Sequence, residues 1–163
     1  MKNTQKLIQH ARAGVCAPVE IVETVDAALD PAMPRALLRL VNIAEMAGLI
    51  TPEDQGLILN AFSGESPRSD SVAHVLDRFQ CSVTELYILV TLFAAVPRPV
   101  PLAALERETL AHPGLLRSGL DHLHEMAAIL TDIRRDTEPA FELTPSGQSL
   151  AVFLMYRVIA AIV

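Results

Sequence analysis

Residues 140–163 (AFELTPSGQSLAVFLMYRVIAAIV) contain, in order, a short segment in which apolar and polar residues alternate, a helix start and a long apolar run. The alternation in 140–143 is typical of a strand. Thr144 is a preferred N-cap residue and Pro145 fits the first turn, so a helix begins here. The apolar run is about 15 residues long and contains Arg157, whereas a bilayer needs roughly 20 residues. We therefore predict a strand followed by a C-terminal helix that binds a partner rather than a membrane.

The composition favours a helical core. Hydrophobic residues make up 51% of the 163 residues, but aromatic residues make up only 4% and tryptophan is absent. Such a core is built from interlocking Leu, Ala, Val and Ile side chains, which favours helices over a β-sandwich. The chain is long enough to bury a substantial core, and we predict a mainly α fold.

The charge disfavours a general attraction to nucleic acids or acidic membranes. The formal net charge is −6, with 13 basic and 19 acidic side chains. Any nucleic-acid contact must therefore be local. Eleven of the basic residues are arginine, which suits a small patch that recognises phosphates or base edges.

The cysteine pattern predicts a reducing, cytoplasmic location. Cys16 and Cys81 are far apart and form no CxxC or zinc-ligand spacing. The N-terminus leads into no apolar run of the kind found in a secretory signal. We interpret both thiols as small buried apolar side chains, with a redox-sensing pair as the alternative.

The first part of the chain predicts short helices. Residues 3–13 and 18–29 have helical patterns, and residues 34–62 predict a helical hairpin. Its second helix begins at Thr51, where Asp54 three residues later forms a near capping box. Gly48 is a plausible end of the first helix.

A segment rich in Ser, Gly and Pro, residues 63–71 (SGESPRSDS), is typical of a linker. We place a domain boundary there. The predicted organisation is an N-terminal helical segment, a second domain and a C-terminal helix, at residues 1–65, 72–147 and 148–163.

Beyond the linker, residues 71–79 (SVAHVLDRF) predict a helix, and a capping box, Ser82 and Glu85, then opens the apolar helix 82–96. Its apolar residues extend around the helix, which predicts burial on several sides. Prolines then interrupt the chain, and Val100 fits one short β rung. The patterns that follow predict helices at 102–110 and 113–126. They then predict a β-hairpin with strands at 128–135 and 140–143 and a turn at 136–139.

This order of elements is that of a winged helix-turn-helix. Residues 82–155 resemble the multiple-antibiotic-resistance regulator (MarR) family in the segments SVTELYILVTLFA, PLAALERETL, LLRSGLDHLHEMAAI and FELTPSGQSLA. The most specific part is Leu-Thr-x-x-Gly at 143–147, which in that family joins the wing to the C-terminal helix. The resemblance implies a winged helix-turn-helix with a small β-hairpin wing, and here with additional N-terminal helices, acting as a transcriptional regulator.

The resemblance also implies a homodimer with interlocking N- and C-terminal helices. Residues 148–163 would form the dimer seam, or alternatively pack on the chain's own N-terminal hairpin. Residues 113–126 would be the recognition helix in the major groove, and the wing, 128–143, would contact the flanking backbone. The DNA-binding candidates are His112, Arg117, Ser118, His122, Arg134 and Arg135.

The wing departs from the family pattern. Its turn reads DTEP at 136–139 and lacks the family's wing-tip arginine. Residues 99–147 contain four basic and eight acidic side chains, a net charge of −4, which weakens phosphate neutralisation. Arg134 and Arg135 have an alternative role in pairing with Asp132 or Asp136. The alternative function is a winged-helix protein that has lost DNA binding and acts through protein contacts, as an inhibitor or co-regulator.

A regulator of this family would sense a small phenolic or apolar compound between its DNA-binding lobe and its dimer helices. The candidate lining residues here are Phe93, Met126, Phe153, Met155 and Tyr156. Residues at helical spacing are also typical of plain core, which is the alternative.

No pattern indicates catalysis, a cofactor or a metal. The sequence has no glycine-rich phosphate loop, nucleophile elbow or HExxH motif. His122 and His124 are two residues apart on a predicted helix and point in different directions, so they cannot share a metal ion unaided. We predict a non-enzyme whose N-terminal hairpin enlarges the dimer interface, covers the DNA-facing surface or docks a protein partner.

Overall fold

The computed structural model describes residues 31–62, 69–133 and 138–163. These ranges are mainly helical, with one small antiparallel sheet. The predicted helices 3–13 and 18–29, Cys16 and the pair Arg134 and Arg135 lie outside the described residues.

In chain order the described elements are α1 (Met33–Met46), α2 (Pro52–Phe62), α3 (Ser69–Arg78), α4 (Val83–Ala95), β1 (Val100–Pro101), α5 (Leu102–Thr109), α6 (Pro113–Glu125), β2 (Ile129–Asp132), β3 (Ala140–Leu143) and α7 (Pro145–Ile162).

The predicted helical hairpin is confirmed as α1 and α2. Gly48 lies one residue beyond the cap, Ala47, with φ of +72°, a backbone conformation that glycine adopts without strain. At the start of α2, Asp54 N donates to Thr51 Oγ1 at 3.1 Å and Thr51 N donates to Asp54 Oδ2 at 3.2 Å. The predicted capping box is therefore present, with Asp in place of Glu.

The prediction of a linker over 63–71 extends too far, because α3 already begins at Ser69. Ser and Asp are typical of linkers, but they also stabilise helix starts, and Asp70 lies in the first turn of α3. The predicted helical segment and the second domain share one core, since buried side chains of α1, α3, α4, α6 and α7 belong to a single cluster.

Helix α4 is the centre of this core. Its capping box is confirmed, with Glu85 N donating to Ser82 Oγ and Ser82 N donating to Glu85 Oε2, each at 3.1 Å. All residues from 83 to 92 are buried. The predicted burial on several sides is therefore confirmed, because α1, α5, α6 and α7 all pack against α4.

The sheet has the order β1–β3–β2, and both pairings are antiparallel. Val100 pairs with Phe141, and Ile129 pairs with Leu143. The predicted hairpin and the β rung at Val100 are confirmed. Two predicted helices end one residue early, at Thr109 and Glu125, and α5 ends where Leu110 adopts a left-handed φ of 48°.

Helix α7 begins at Pro145, so the predicted boundary at 147/148 falls inside the helix. Thr144 Oγ1 accepts from Gly147 N at 2.9 Å and donates to Ala127 O at 2.7 Å, which joins the helix start to the end of α6. The helix has 18 residues and a mean hydropathy of 1.2, which is long and apolar enough to cross a membrane, but a soluble core helix meets the same criterion. Here α7 packs against α3 and α4.

Gly147→Ala should destabilise the fold strongly. A Cβ at this position would lie 2.8 Å from the carbonyl carbon of Ala128 and closer still to its oxygen, so backbone must move. We expect a loss of about 3 kcal/mol or more in the free energy of unfolding, measured by urea denaturation. Gly56→Ala is the matched control, since a Cβ there has no neighbour within 4 Å. Equal stability of the two variants would contradict this account.

Candidate functional site

Helix α6 approaches α4 closely because of Gly119. A Cβ on Gly119 would lie 3.2 Å from Ile88 Cδ1 and 3.3 Å from Glu85 Cγ. Leu116, Leu120 and Leu123 bury the same side of α6. The opposite side of α6 is exposed, and the close contact at Gly119 sets its distance from the core.

A buried carboxylate joins the two helices at this point. Glu85 is 7% exposed, and its Oε1 lies 2.8 Å from His122 Nδ1 on α6. Its other oxygen accepts from Ser82 N. One side chain therefore caps α4 and binds α6. His122 is one of the predicted DNA-binding candidates, and its Nδ1 faces Glu85. The periodicity of α6 could not reveal this acceptor, because it lies on α4.

Cys81 lies beside this carboxylate. Burial raises the pKa of the Cys81 thiol well above its ordinary value, and the negative charge of Glu85 raises that pKa further. The thiol donates weakly to Ser82 O at 3.5 Å and packs against the core. Because the thiolate is the reactive form, Cys81 has the character of a packing residue rather than a nucleophile.

Three of the six predicted DNA-binding candidates lie on the outer face of α6 or at its start. Arg117 and Ser118 are exposed, together with Asp121 and Glu125. His112 is the N-cap, and its Nδ1 accepts from Gly114 N at 3.1 Å. The structure thus brings His112, Arg117 and Ser118 together on one helix. His122 lies at the edge of its buried side.

A second histidine connects α6 to the sheet. The Nε2 of His124 makes a short hydrogen bond to Thr131 Oγ1 on β2, and both side chains lie on the outer surface. The predicted divergence of His122 and His124 agrees with these contacts, since one ring binds α4 and the other binds the hairpin. In the ranges described, no group of three or more His, Cys, Asp or Glu side chains could hold a metal ion.

The surface around α6 is acidic. The described residues between 99 and 147 carry two basic side chains, Arg107 and Arg117, and seven acidic ones. Glu138 Oε1 accepts from Ala103 N at 2.7 Å, and Glu108 lies 3.8 Å from Arg39 of α1. The remaining excess of negative charge opposes binding of a polyanion.

The predicted ligand-binding residues have different surroundings. Phe153 and Tyr156 are about half exposed on α7, and Met126 is 43% exposed at the end of α6. Phe93 is half-buried, whereas Met155 is fully buried core.

A small cavity lies elsewhere, between the end of α4, the hairpin and the start of α7. Its volume is about 220 Å³, below the ~300–1,000 Å³ typical of ligand sites. It is lined by Leu92, Val96, Pro97, Arg98, Leu130, Glu142, Leu143, Thr144, Pro145 and Gln148. None of the predicted ligand-binding residues lines it, and nothing in the sequence pattern marks it, because the cavity exists only where three separate elements meet.

Comparisons with known proteins returned no match to any family model, curated protein or solved structure. The function of this site therefore has to be inferred from its own residues.

Replacing Glu85 by Ala should destabilise the protein. The change removes one half of a capping box and leaves His122 without its partner, so we expect a loss of about 2 kcal/mol in the free energy of unfolding. Urea denaturation measures the loss. Glu106→Ala, on the exposed side of α5, is the control and should stay within about 0.5 kcal/mol of the parent. A Glu85→Ala protein as stable as this control would disprove the double role of the carboxylate.

Proposed function

We propose that this protein is a cytoplasmic winged-helix transcriptional regulator that binds DNA as a homodimer. The order α4–β1–α5–α6–β2–β3–α7 supports this proposal. The pairing of β3 with both β1 and β2 supports it as well, because it fixes a hairpin beside α6, where β2 contacts that helix.

The observation that carries the proposal is the two-sided character of α6. Its inner side is fixed against α4, while Arg117 and Ser118 project outward one turn from the helix start. An arginine in this position suits bidentate contact with a guanine edge. Ser118 and the amide-rich start of the helix suit phosphates. In this proposal His112 lies beside the phosphates, and Arg134 with Arg135 contacts the backbone next to the wing.

The exposed side of α7 supports the homodimer. Ser149, Phe153, Tyr156, Ala160 and Val163 are all exposed and follow one another at alternating intervals of four and three residues, which is the spacing of a helix–helix seam. Phe153 packs edge-on against Phe79, the residue directly after α3, with ring centroids 5.1 Å apart. In this proposal a second copy of α7 covers the stripe, because aromatic side chains at such spacing are typical anchors of an interface.

The double substitution Phe153→Asp and Tyr156→Asp should convert the dimer to a monomer. Two buried, unpaired carboxylates at the seam would oppose association. Light scattering coupled to size-exclusion chromatography gives the mass. The control is Ile133→Asp, which places the same charge on a side chain just after β2 that is 76% exposed and should leave the dimer intact. A dimer that survives the double substitution would place the interface elsewhere.

DNA binding should depend on Arg117. We expect the purified protein to bind duplex from upstream of its own gene more tightly than random duplex, with weaker binding at about 200 mM salt than at about 50 mM. Arg117→Ala should reduce the affinity about tenfold or more. Arg78→Ala, an exposed arginine at the end of α3, is the matched control. Fluorescence anisotropy gives the dissociation constants.

The acidic surface around α6 favours a second candidate function, a winged-helix protein that works through protein contacts as an inhibitor or co-regulator. Leu110 and Leu115 add exposed apolar area, 68% and 37% exposed, at the turn into α6. The DNA experiment separates the two functions. Absence of binding to either duplex at low salt, by a folded dimer, would exclude general DNA affinity and favour the protein partner.

Control by a small apolar ligand is part of the first proposal. Phe93, Met126, Phe153 and Tyr156 remain its candidate residues, although Phe153 and Tyr156 also lie on the proposed seam.

A further inference from the structure

We propose that the Glu85–His122 contact fixes the rotation of α6 about its own axis, so that His122 is a positioning residue for Arg117 and Ser118 and not itself a DNA contact. The inference rests on the proposed function in one respect, that Arg117 and Ser118 contact DNA. The orientation of α6 is a property of the chain alone.

The apolar contacts of α6 determine which side of the helix faces α4, and directional contacts set its finer rotation. Leu116, Leu120 and Leu123 are buried, but apolar packing has no preferred direction. Gly119 places only backbone against Glu85 and Ile88, so no side chain interlocks there. A directional contact is needed to select one rotation, and α6 has two: His124 with Thr131 at the surface, and His122 with Glu85, whose carboxylate is buried.

The His122–Glu85 bond supplies that direction. A rotation of α6 by ~15° would move side-chain atoms ~5–6 Å from its axis by about 1.5 Å. A rotation that carries the ring away from Glu85 would stretch this contact, which starts at 2.8 Å, beyond hydrogen-bond length, and the opposite rotation would press the two side chains together. The same rotation would displace Arg117 and Ser118 by a similar amount. The direction of Arg117 and Ser118 is therefore set by a contact that another residue of α6, His122, makes with α4.

Glu85 is itself held in place, which makes it a suitable anchor. Its Oε2 accepts from Ser82 N in the capping box, and its side chain is only 10% exposed. Among the described residues His122 is its one ion-pair partner. Because the carboxylate oxygen accepts, the proton of a neutral His122 is on Nδ1.

Two substitutions test this assignment atom by atom. The side-chain nitrogen of Asn lies close to the position of Nδ1, whereas that of Gln lies close to Nε2. We would compare His122→Asn, His122→Gln and His122→Ala in the full chain. The measurements are hydrogen exchange of the α6 amides and the dissociation constant for the duplex bound by the parent protein. His74→Asn and His74→Gln, at an exposed position of α3, are the matched controls.

The expected result is that Asn keeps the exchange protection of α6 and the affinity for duplex within about twofold, while Gln and Ala each lose on the order of tenfold. Three results overturn the inference: Gln retaining protection while Asn loses it, Asn losing as much as Ala, or all three retaining it. If the parent protein binds no duplex, the proposed function fails, but the exchange pattern still decides the role of His122.

Discussion

The Glu85 carboxylate lies where α4 begins and where α6 crosses it, and most of the candidate site depends on its position. It closes the first turn of the most buried helix, binds His122 and adds to the effect of burial in raising the pKa of the neighbouring Cys81 thiol. Burying a charge is costly unless its oxygens have partners. Here each carboxylate oxygen has a hydrogen-bond partner, Ser82 N for one and His122 Nδ1 for the other. The capping of α4 and the contact between α4 and α6 therefore depend on the same side chain.

In this arrangement one side of α6 attaches the helix to the core, and the other side is exposed for binding. The inner side of α6 is apolar apart from the edge contact through His122, and its outer side carries the mixed charges Arg117, Asp121 and Glu125. A polyanion meets one favourable charge and two unfavourable ones on this helix. Affinity for DNA would then depend on precise base and phosphate contacts rather than on attraction at long range. Precision of that kind requires a helix that does not rotate.

Local signals predicted most of the described helices and strands, whereas contacts between residues distant in the sequence could not be predicted. The capping residues Ser82, Glu85 and Thr144 each determine a helix start from within four residues, so the starts of α4 and α7 were visible in the sequence. The contact of His122 with Glu85 could not be predicted from the sequence, because the two residues are 37 positions apart. The start of α3 was missed for a different reason, since Ser and Asp are common in linkers and helix caps alike.

The N-terminal hairpin is joined to the site through α1. Arg35 lies over the ring of Tyr87 at 5.8 Å and donates to the carbonyl of Glu108 at 3.1 Å, while Arg39 lies near the carboxylate of the same residue. Glu108 is in the last turn of α5, directly before the chain enters α6. A cation at this end of a helix is favourable, because the unpaired carbonyls there carry partial negative charge. Helix α1 therefore supports the turn that presents α6 and shares its core with α4, so displacing α1 would disturb the candidate site as well as the N-terminal hairpin.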